Sequence, residues 1–179
     1  MTATFQTRSL SLAESGPSDE LTSAILFPPD RVSVMAILNL TPDSFSDGGA
    51  FFQDRTGPQQ KALREAIQAF HEAGVDLIDV GGESTRPGAS AVEAAEEIKR
   101  VEAVLGLLAE EGDIPVSIDT QKAEVASRAI LAGARVINDV SGLVTDPELA
   151  DVAAENGAIL ILGHMRGTPR TMQQAPRYE

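Results

Sequence analysis

The sequence contains no cysteine, no tryptophan and only two histidines among its 179 residues. Without cysteine, the chain forms no disulfide bonds, no thiolate metal sites and no cysteine nucleophile. Two histidines leave little scope for imidazole chemistry. Any bound metal ion would therefore depend on oxygen ligands.

Basic residues and long apolar runs are also scarce. The 14 lysines and arginines are outnumbered by 27 acidic residues, which gives a formal net charge of −13. This charge repels phosphate backbones and anionic lipids, so neither a nucleic acid nor a membrane is an expected partner. No apolar run approaches the roughly 18 residues of a membrane span, and residues 1–20 lack the pattern of a secretory signal. We therefore expect a cytoplasmic protein.

The remaining composition, 42% hydrophobic and 23% charged, is typical of one soluble domain. Residues 1–30 show no sustained periodicity and are interpreted as an N-terminal arm or hairpin, followed by a domain at 31–179. In that domain, apolar runs at 32–38, 75–80, 116–118, 136–137 and 159–162 alternate with helical patterns that begin near Pro58, Ala91, Gln121 and Asp146. This βαβαβαβαβ order predicts a parallel sheet covered by helices, either doubly wound or part of an eight-stranded barrel.

The second helix has the clearest pattern. Ser90 and Glu93 form a capping-box signature at its start. Its apolar stripe, predicted to face the sheet, comprises Ala94, Ile98, Val101, Leu105 and Leu108. We expect Glu96, Lys99 and Arg100, which lie off this stripe, to face water. Three glycines that precede strands are predicted to end helices: Gly74, Gly133 and Gly157.

Polar residues stand where the apolar runs end. They are Asn39, Asp79, Asp119, Asn138 with Asp139, and His164. The carboxyl ends of the strands carry the binding site in parallel α/β folds, so these residues are predicted to share one rim. For each residue taken alone, helix capping or strand-end hydrogen bonding is the alternative explanation.

Asp119 and Asn138 follow neighbouring predicted strands and suit a flat heterocycle. A partly buried Asp119 carboxylate could accept two parallel hydrogen bonds from a guanidine-like N–C–N edge. The Asn138 amide, both donor and acceptor, could bind an adjacent amide of the same ring. A pterin or a purine meets this description.

Two loops carry further polar groups. Residues 41–49 hold two carboxylates, hydroxyls and a phenyl group that packing does not require, which indicates a mobile lid over the site. Residues 81–89 follow the second strand, and their hydroxyls, glycine amides and Arg86 could bind a phosphate or diphosphate.

Residues 35–49 and 81–89 together resemble the two signature segments of the dihydropteroate synthases. Segments 116–120, 136–142 and 164–173 resemble that family in the same order. The resemblance implies a (β/α)8 TIM barrel and a transferase of folate biosynthesis. Such an enzyme is a sulfonamide target and condenses 6-hydroxymethyl-7,8-dihydropterin diphosphate with p-aminobenzoate, with Mg2+ as cofactor, to give 7,8-dihydropteroate and diphosphate.

The resemblance also implies roles for individual residues. Asp119 and Asn138 would bind the pterin ring, and Asn39 would help to place Mg2+ and diphosphate. Thr85 with Arg86 would contact the diphosphate-bearing side chain.

The two loops would close over the second substrate. Phe45, Pro87, Asp43 and Asp47 would then build the p-aminobenzoate pocket, and closure would exclude water from a cationic intermediate. The predicted catalytic set is Asp43, Asp47 and Arg86. His164 could contact the diphosphate, but a structural role explains it at least as well. His71 is interpreted as a surface or packing residue of its helix, so both histidines are left out of the predicted site.

The chain departs from the family in length and at two positions. A barrel of this type has eight strands and about 250 residues, whereas five strands are predicted here, so we expect truncation after about the fifth strand. The family's later basic site residues and the helices of its homodimer would then be absent. We expect this stretch alone to be inactive and to expose apolar surface. Gly163 stands where many relatives carry methionine, and Ala36 replaces a frequent glycine.

Two alternatives stay open. A pterin-barrel methyltransferase domain has similar Asp and Asn ring contacts, although the lid sequence and residues 84–87 argue against it. A non-catalytic remnant, which binds pterin weakly or serves as an assembly partner, is the alternative from a different class.

Overall fold

The computed structural model describes residues 26–40, 58–84, 91–111 and 114–164, where five strands alternate with four helices. The strands are β1 (Met35–Asn39), β2 (Leu77–Gly81), β3 (Val116–Asp119), β4 (Val136–Asp139) and β5 (Ile159–Leu162). The helices are α1 (Pro58–Ala73), α2 (Ala94–Glu111), α3 (Ala123–Leu131) and α4 (Leu149–Asn156). The predicted βαβαβαβαβ order is confirmed.

All five strands are parallel and lie in the order β1-β2-β3-β4-β5. A doubly wound sheet reverses its strand order at a switch point, whereas the strands of a (β/α)8 barrel follow one another in sequence. The barrel-type fold is therefore confirmed, and the described ranges contain five of the eight strands of such a barrel.

The sheet buries apolar side chains on both faces. The main core lies between the helices and one face, and its fully buried members include Leu63, Ile67, Ile78, Ile118 and Ile137. On the other face, Leu26, Leu77 and Val136 form a smaller cluster, with Ile159 and Ile161 packed against it. Burial on two faces explains why the strands appear in the sequence as nearly continuous apolar runs.

Left-handed glycines end helices as predicted. Gly74, Gly133 and Gly157 have φ angles of +66°, +109° and +60°, a region that favours glycine because it has no Cβ. Helix α2 begins at Ala94, three residues after its predicted start near Ala91. The carbonyl of Glu93 accepts its first backbone hydrogen bonds.

One prediction for α2 is wrong. Arg100 was expected to face water, but its side chain is only 14% exposed. Its Nη1 donates a hydrogen bond of 3.0 Å to the Gly82 carbonyl, in the segment that follows β2. Because the helix packs beside this segment, an off-stripe arginine can reach the backbone of its neighbour.

Apolar side chains at the two outer strands stay accessible, as the sequence predicts. Ile37 on β1 is 64% exposed and Leu162 on β5 is 53% exposed. In the described part of the chain, each of these strands is paired along one edge only. No helix in that part is long and apolar enough to cross a membrane. The predicted arm boundary at residue 30 stays a prediction, since residues 1–25 lie outside the described ranges.

Candidate functional site

One row of the sheet places the predicted ring-binding residues side by side. The register pairs Asn39 with Gly81, Gly81 with Asp119, and Asp119 with Asn138. These residues lie at or beside the carboxyl ends of four neighbouring strands. Because residues that are paired in register on neighbouring strands share a face of the sheet, the side chains of Asn39, Asp119 and Asn138 project from the same side. The predicted rim is confirmed for Asn39, Asp119 and Asn138.

Gly81 makes room in the middle of this row. A Cβ atom at Gly81 would lie 2.9 Å from Asn39 Oδ1 and 3.6 Å from Asp119 Oδ2. The first distance is shorter than real Cβ contacts allow. The missing side chain therefore lets the Asn39 and Asp119 side chains converge above β2.

Asp79 lies one row deeper than the predicted rim, where it pairs in register with Ile37 and Ser117. Asn138 Nδ2 donates a hydrogen bond of 3.0 Å to Asp79 Oδ2. This bond orients the Asn138 amide from below. Asp79 is consequently a supporting residue for Asn138 at the base of the site.

Three polar atoms at this face have no hydrogen-bond partner among the described residues. Asp79 Oδ1, Ser117 Oγ and Asp119 Oδ1 are buried and make no hydrogen bond. A buried polar group without a partner costs about 1–3 kcal/mol. A ligand that donates hydrogen bonds here would remove that cost, so the site is suited to a donor-rich ring.

The Asp119 carboxyl has a strongly altered acidity. Burial, followed by the negative charges of Asp79, Glu97, Asp139 and Glu83, raises its pKa from 3.8 to about 7. Acidic residues with raised pKa values are concentrated at functional sites. Near neutral pH this carboxyl can thus either accept hydrogen bonds or donate one.

Asp139 has a structural role, which is the alternative that the sequence left open. Its side chain is fully buried. Oδ1 accepts a hydrogen bond from the Ser141 amide at 2.8 Å, and Oδ2 accepts one from the Leu143 amide at 2.6 Å. The carboxylate therefore shapes the loop after β4.

His164, which follows β5, is exposed.

Sequence reasoning missed a second polar cluster next to the site. Glu97 of α2 is fully buried, and its Oε1 accepts a hydrogen bond of 2.8 Å from Thr120 Oγ1. Lys122 Nζ contacts Glu97 Oε2 at 2.5 Å and also binds Glu83. These four residues are called the Lys122 cluster. The available signal was an acidic residue inside the apolar stripe of α2, between Ala94 and Val101.

The predicted site also includes six residues of the two loops. Asp43, Phe45, Asp47, Thr85, Arg86 and Pro87 lie outside the described residues. Their roles stay predictions. Of the predicted set, the structure brings together Asn39, Asp119 and Asn138.

The described residues contain no group of three or more His, Asp or Glu side chains that could hold a metal ion. Asn39 is half-buried and presents Oδ1 toward the space above Gly81. An amide oxygen is a hard ligand that suits Mg2+, which commonly takes one or two protein ligands together with substrate phosphates. Among the described residues, Asn39 Oδ1 could therefore contribute one ligand to such an ion.

The fold and sequence match a known family and its structures. Residues 35–179 match the model of the pterin binding enzymes. Dihydropteroate synthases from Synechocystis and Escherichia coli are 48% and 44% identical over 148 and 149 residues, which are 83% and 82% of this chain. Both alignments cover 49% of the relative.

Solved structures of dihydropteroate synthases are also similar to this chain. Yersinia pestis dihydropteroate synthase in complex with a sulfonamide drug is 44% identical, with a TM-score of 0.70 over 84% of this chain and 52% of that one. The Xanthomonas albilineans enzyme with 4-aminobenzoic acid is 43% identical, also with a TM-score of 0.70, over 84% and 50%. The chain spans about half the length of these relatives, and it belongs to the pterin-binding enzyme family.

Proposed function

We propose that this protein serves the dihydropteroate synthase reaction, in which 6-hydroxymethyl-7,8-dihydropterin diphosphate and p-aminobenzoate give 7,8-dihydropteroate and diphosphate. The observation that carries the proposal is the row of Asn39, Asp119 and Asn138, together with the buried oxygen atoms of Asp79, Ser117 and Asp119 that have no partner among the described residues. The dihydropteroate synthases among the relatives support it.

The pterin ring carries hydrogen-bond donors that match the acceptor atoms of the site. Its amino group and adjacent ring N–H form an N–C–N edge that can donate two hydrogen bonds to the Asp119 carboxylate. Asn138, oriented by Asp79, can both donate to and accept from the neighbouring ring amide. Fixed polar groups of this kind orient a flat ligand in an otherwise apolar pocket.

The diphosphate arm would lie above Asn39 and Gly81. Asn39 Oδ1 would hold Mg2+ there together with the diphosphate oxygens, and the ion would neutralise the leaving group. Thr85 and Arg86, which follow β2 closely in sequence, would contact the same arm.

The reaction is a substitution at the pterin methylene carbon. The bond from this carbon to the diphosphate oxygen breaks, and the aryl amine nitrogen forms the new bond and loses a proton. Positioning and stabilisation of the leaving group are sufficient for rate enhancement, so no covalent enzyme intermediate is needed. Asp43, Asp47 and Arg86 form the proposed catalytic set, and Phe45 with Pro87 would contact p-aminobenzoate.

Cytoplasmic location and homodimer formation are further parts of the proposal. The location continues the expectation drawn from the apolar pattern of the sequence. The homodimer rests on the resemblance to the dihydropteroate synthases, and the helices that form it in the family are expected to be absent from this stretch. Neither is needed for the ring contacts described above.

The test compares the wild-type chain with Asp119→Ala. We expect wild type to bind 6-hydroxymethylpterin in isothermal titration calorimetry and the variant to bind more than about tenfold more weakly, because the carboxylate–ring hydrogen bonds are lost. Asp151→Ala, at an exposed aspartate of α4, is the matched control and should bind as wild type does.

A second measurement separates the alternatives. Diphosphate release is followed with both substrates and Mg2+. Release that depends on Asp119 would show that these five strands are sufficient for catalysis and would exclude the non-catalytic alternative, whereas ring binding without release is the result expected of this stretch alone. Equal binding by wild type and Asp119→Ala would contradict the proposed site.

A further inference from the structure

The Lys122 cluster joins three consecutive parts of the fold. Glu97 belongs to α2, Glu83 to the segment after β2, and Thr120 and Lys122 to the segment after β3. Lys122 Nζ donates hydrogen bonds to the carboxylates of Glu83 and Glu97, and Thr120 Oγ1 donates one to Glu97. The cluster therefore links the segments that leave two neighbouring strands of the proposed site.

Packing alone does not account for this cluster. Glu97 is 0% exposed, in a helix stripe whose other members are apolar. Burying a carboxylate is costly even when it is paired, and an apolar residue of similar size often gives equal or greater stability. Burial alone would lower the pKa of Lys122, yet its hydrogen bonds to Glu83 and Glu97 raise it, so the lysine is charged. A charged, hydrogen-bonded cluster fixes positions that apolar packing would leave less exact.

The segment after β2 is held at its backbone as well. A Cβ atom at Gly82 would lie 2.7 Å from Glu97 Cγ and 3.1 Å from Val101 Cγ2, so this glycine is pressed against α2. Arg100 Nη1 donates to the Gly82 carbonyl at 3.0 Å. Gly82 and Glu83 are thus fixed to α2 by the helix surface, by Arg100 and by Lys122.

We propose that Glu83, Glu97 and Lys122 are positioning residues for the diphosphate end of the ligand. The inference rests on the proposed function and extends it: the cluster holds the start of the segment that leads to Thr85 and Arg86, two and three residues beyond Glu83. Asp119 and Asn138 stand on β3 and β4, and Glu83 acts on the ring site through its charge, which helps to raise the pKa of Asp119.

The experiment compares two ligands that differ only in the diphosphate. Binding of 6-hydroxymethylpterin and of its diphosphate ester, with Mg2+, is measured by calorimetry for wild type, Glu83→Ala and Glu83→Gln. The pH is set well above the Asp119 pKa of about 7, so that this carboxyl is ionised in every protein. We expect Glu83→Ala to raise the Kd of the ester about tenfold, as loss of positioning does, and to leave the Kd of the alcohol unchanged. Glu83→Gln, which keeps an oxygen acceptor for Lys122, should restore most of the affinity for the ester.

The control is Glu102→Ala. Glu102 Oε1 accepts a hydrogen bond of 2.8 Å from Arg128 Nε, so this pair also connects α2 and α3, but it lies on the exposed surface. Its removal should change neither Kd. Thermal unfolding of every variant establishes that the fold is retained.

A positioning role and a purely electrostatic role of Glu83 predict opposite changes in the Kd of the ester. If Glu83 acted only through its charge, its removal would tighten binding of the anionic ester, and that result would overturn the inference. Equal losses for the alcohol and the ester would show a merely structural role and would also overturn it. Should wild type bind neither ligand, or bind the alcohol independently of Asp119, the proposed function itself fails.

Discussion

Asp119 illustrates how neighbouring residues change the chemistry of one side chain. Its raised pKa arises first from burial and then from four nearby acidic residues. The sequence predicted its place at a strand end and its ring-binding role. It did not predict the altered acidity, because Asp79 and Glu97 approach Asp119 only after strands and helix have packed.

The altered acidity of Asp119 has a consequence for stability. The folded-state pKa of about 7 lies above the ordinary value of 3.8, so between these pH values the folded chain binds more protons than the unfolded chain. The free energy of unfolding should therefore fall as the pH rises from 3.8 to about 7, and this contribution should level off above that. Urea unfolding across this range should show that wild type loses stability relative to Asp119→Asn, which does not titrate. A constant difference between the two proteins would contradict the prediction.

Gly81 offers a second test at the scale of one residue. We expect Gly81→Ala to displace Asn39, since the new Cβ would lie 2.9 Å from its Oδ1 atom. The end of a side chain can move at little cost, so the melting temperature should change little. The Mg2+-dependent gain in affinity for the pterin diphosphate should nevertheless fall by about tenfold. An unchanged metal dependence would show that Asn39 does not hold the ion.

At the scale of elements, patterns local in sequence predicted more than patterns that depend on tertiary contacts. Apolar runs located all five strands, and three glycines correctly marked helix ends. The depth of Asp79 and the burial of Arg100 were not predictable, because strand register and the approach of α2 to the segment after β2 decide them. Glu97 was missed for the same reason, since its partners are 23 and 25 residues away.

Helix α2 permits a prediction about stability alone. Gly106 is exposed, and a Cβ atom there would meet nothing within 4 Å. Gly106→Ala should stabilise the protein by about 0.5–1 kcal/mol, because alanine loses less backbone entropy in a helix. Chemical denaturation measures the change, and ligand affinity should stay the same. A destabilised variant would mean that α2 is constrained at this point.

For the whole molecule, the outer strands are the part that most favours association between chains. Ile37 projects from the same face as Asp79 and is 64% exposed, and in the part of the chain that the structure describes its strand is paired along one edge only. Exposed apolar strands promote association between chains. Ile37→Thr should therefore reduce self-association in sedimentation velocity experiments, while Val144→Thr, at an exposed loop position, should not. Equal self-association of both variants would show that a surface other than the exposed face of β1 mediates it.

The sequential strand order also bears on how the molecule is made. Each strand pairs with the one just before it, so every new β/α unit finds its docking partner already present in the preceding chain. Folding can then proceed vectorially from the N-terminus during translation. The row of Asn39, Gly81, Asp119 and Asn138 would be completed in the same direction. Asn39 and Gly81 would already be paired before Asp119, at the end of β3, leaves the ribosome. Synthesis order and site assembly thus coincide.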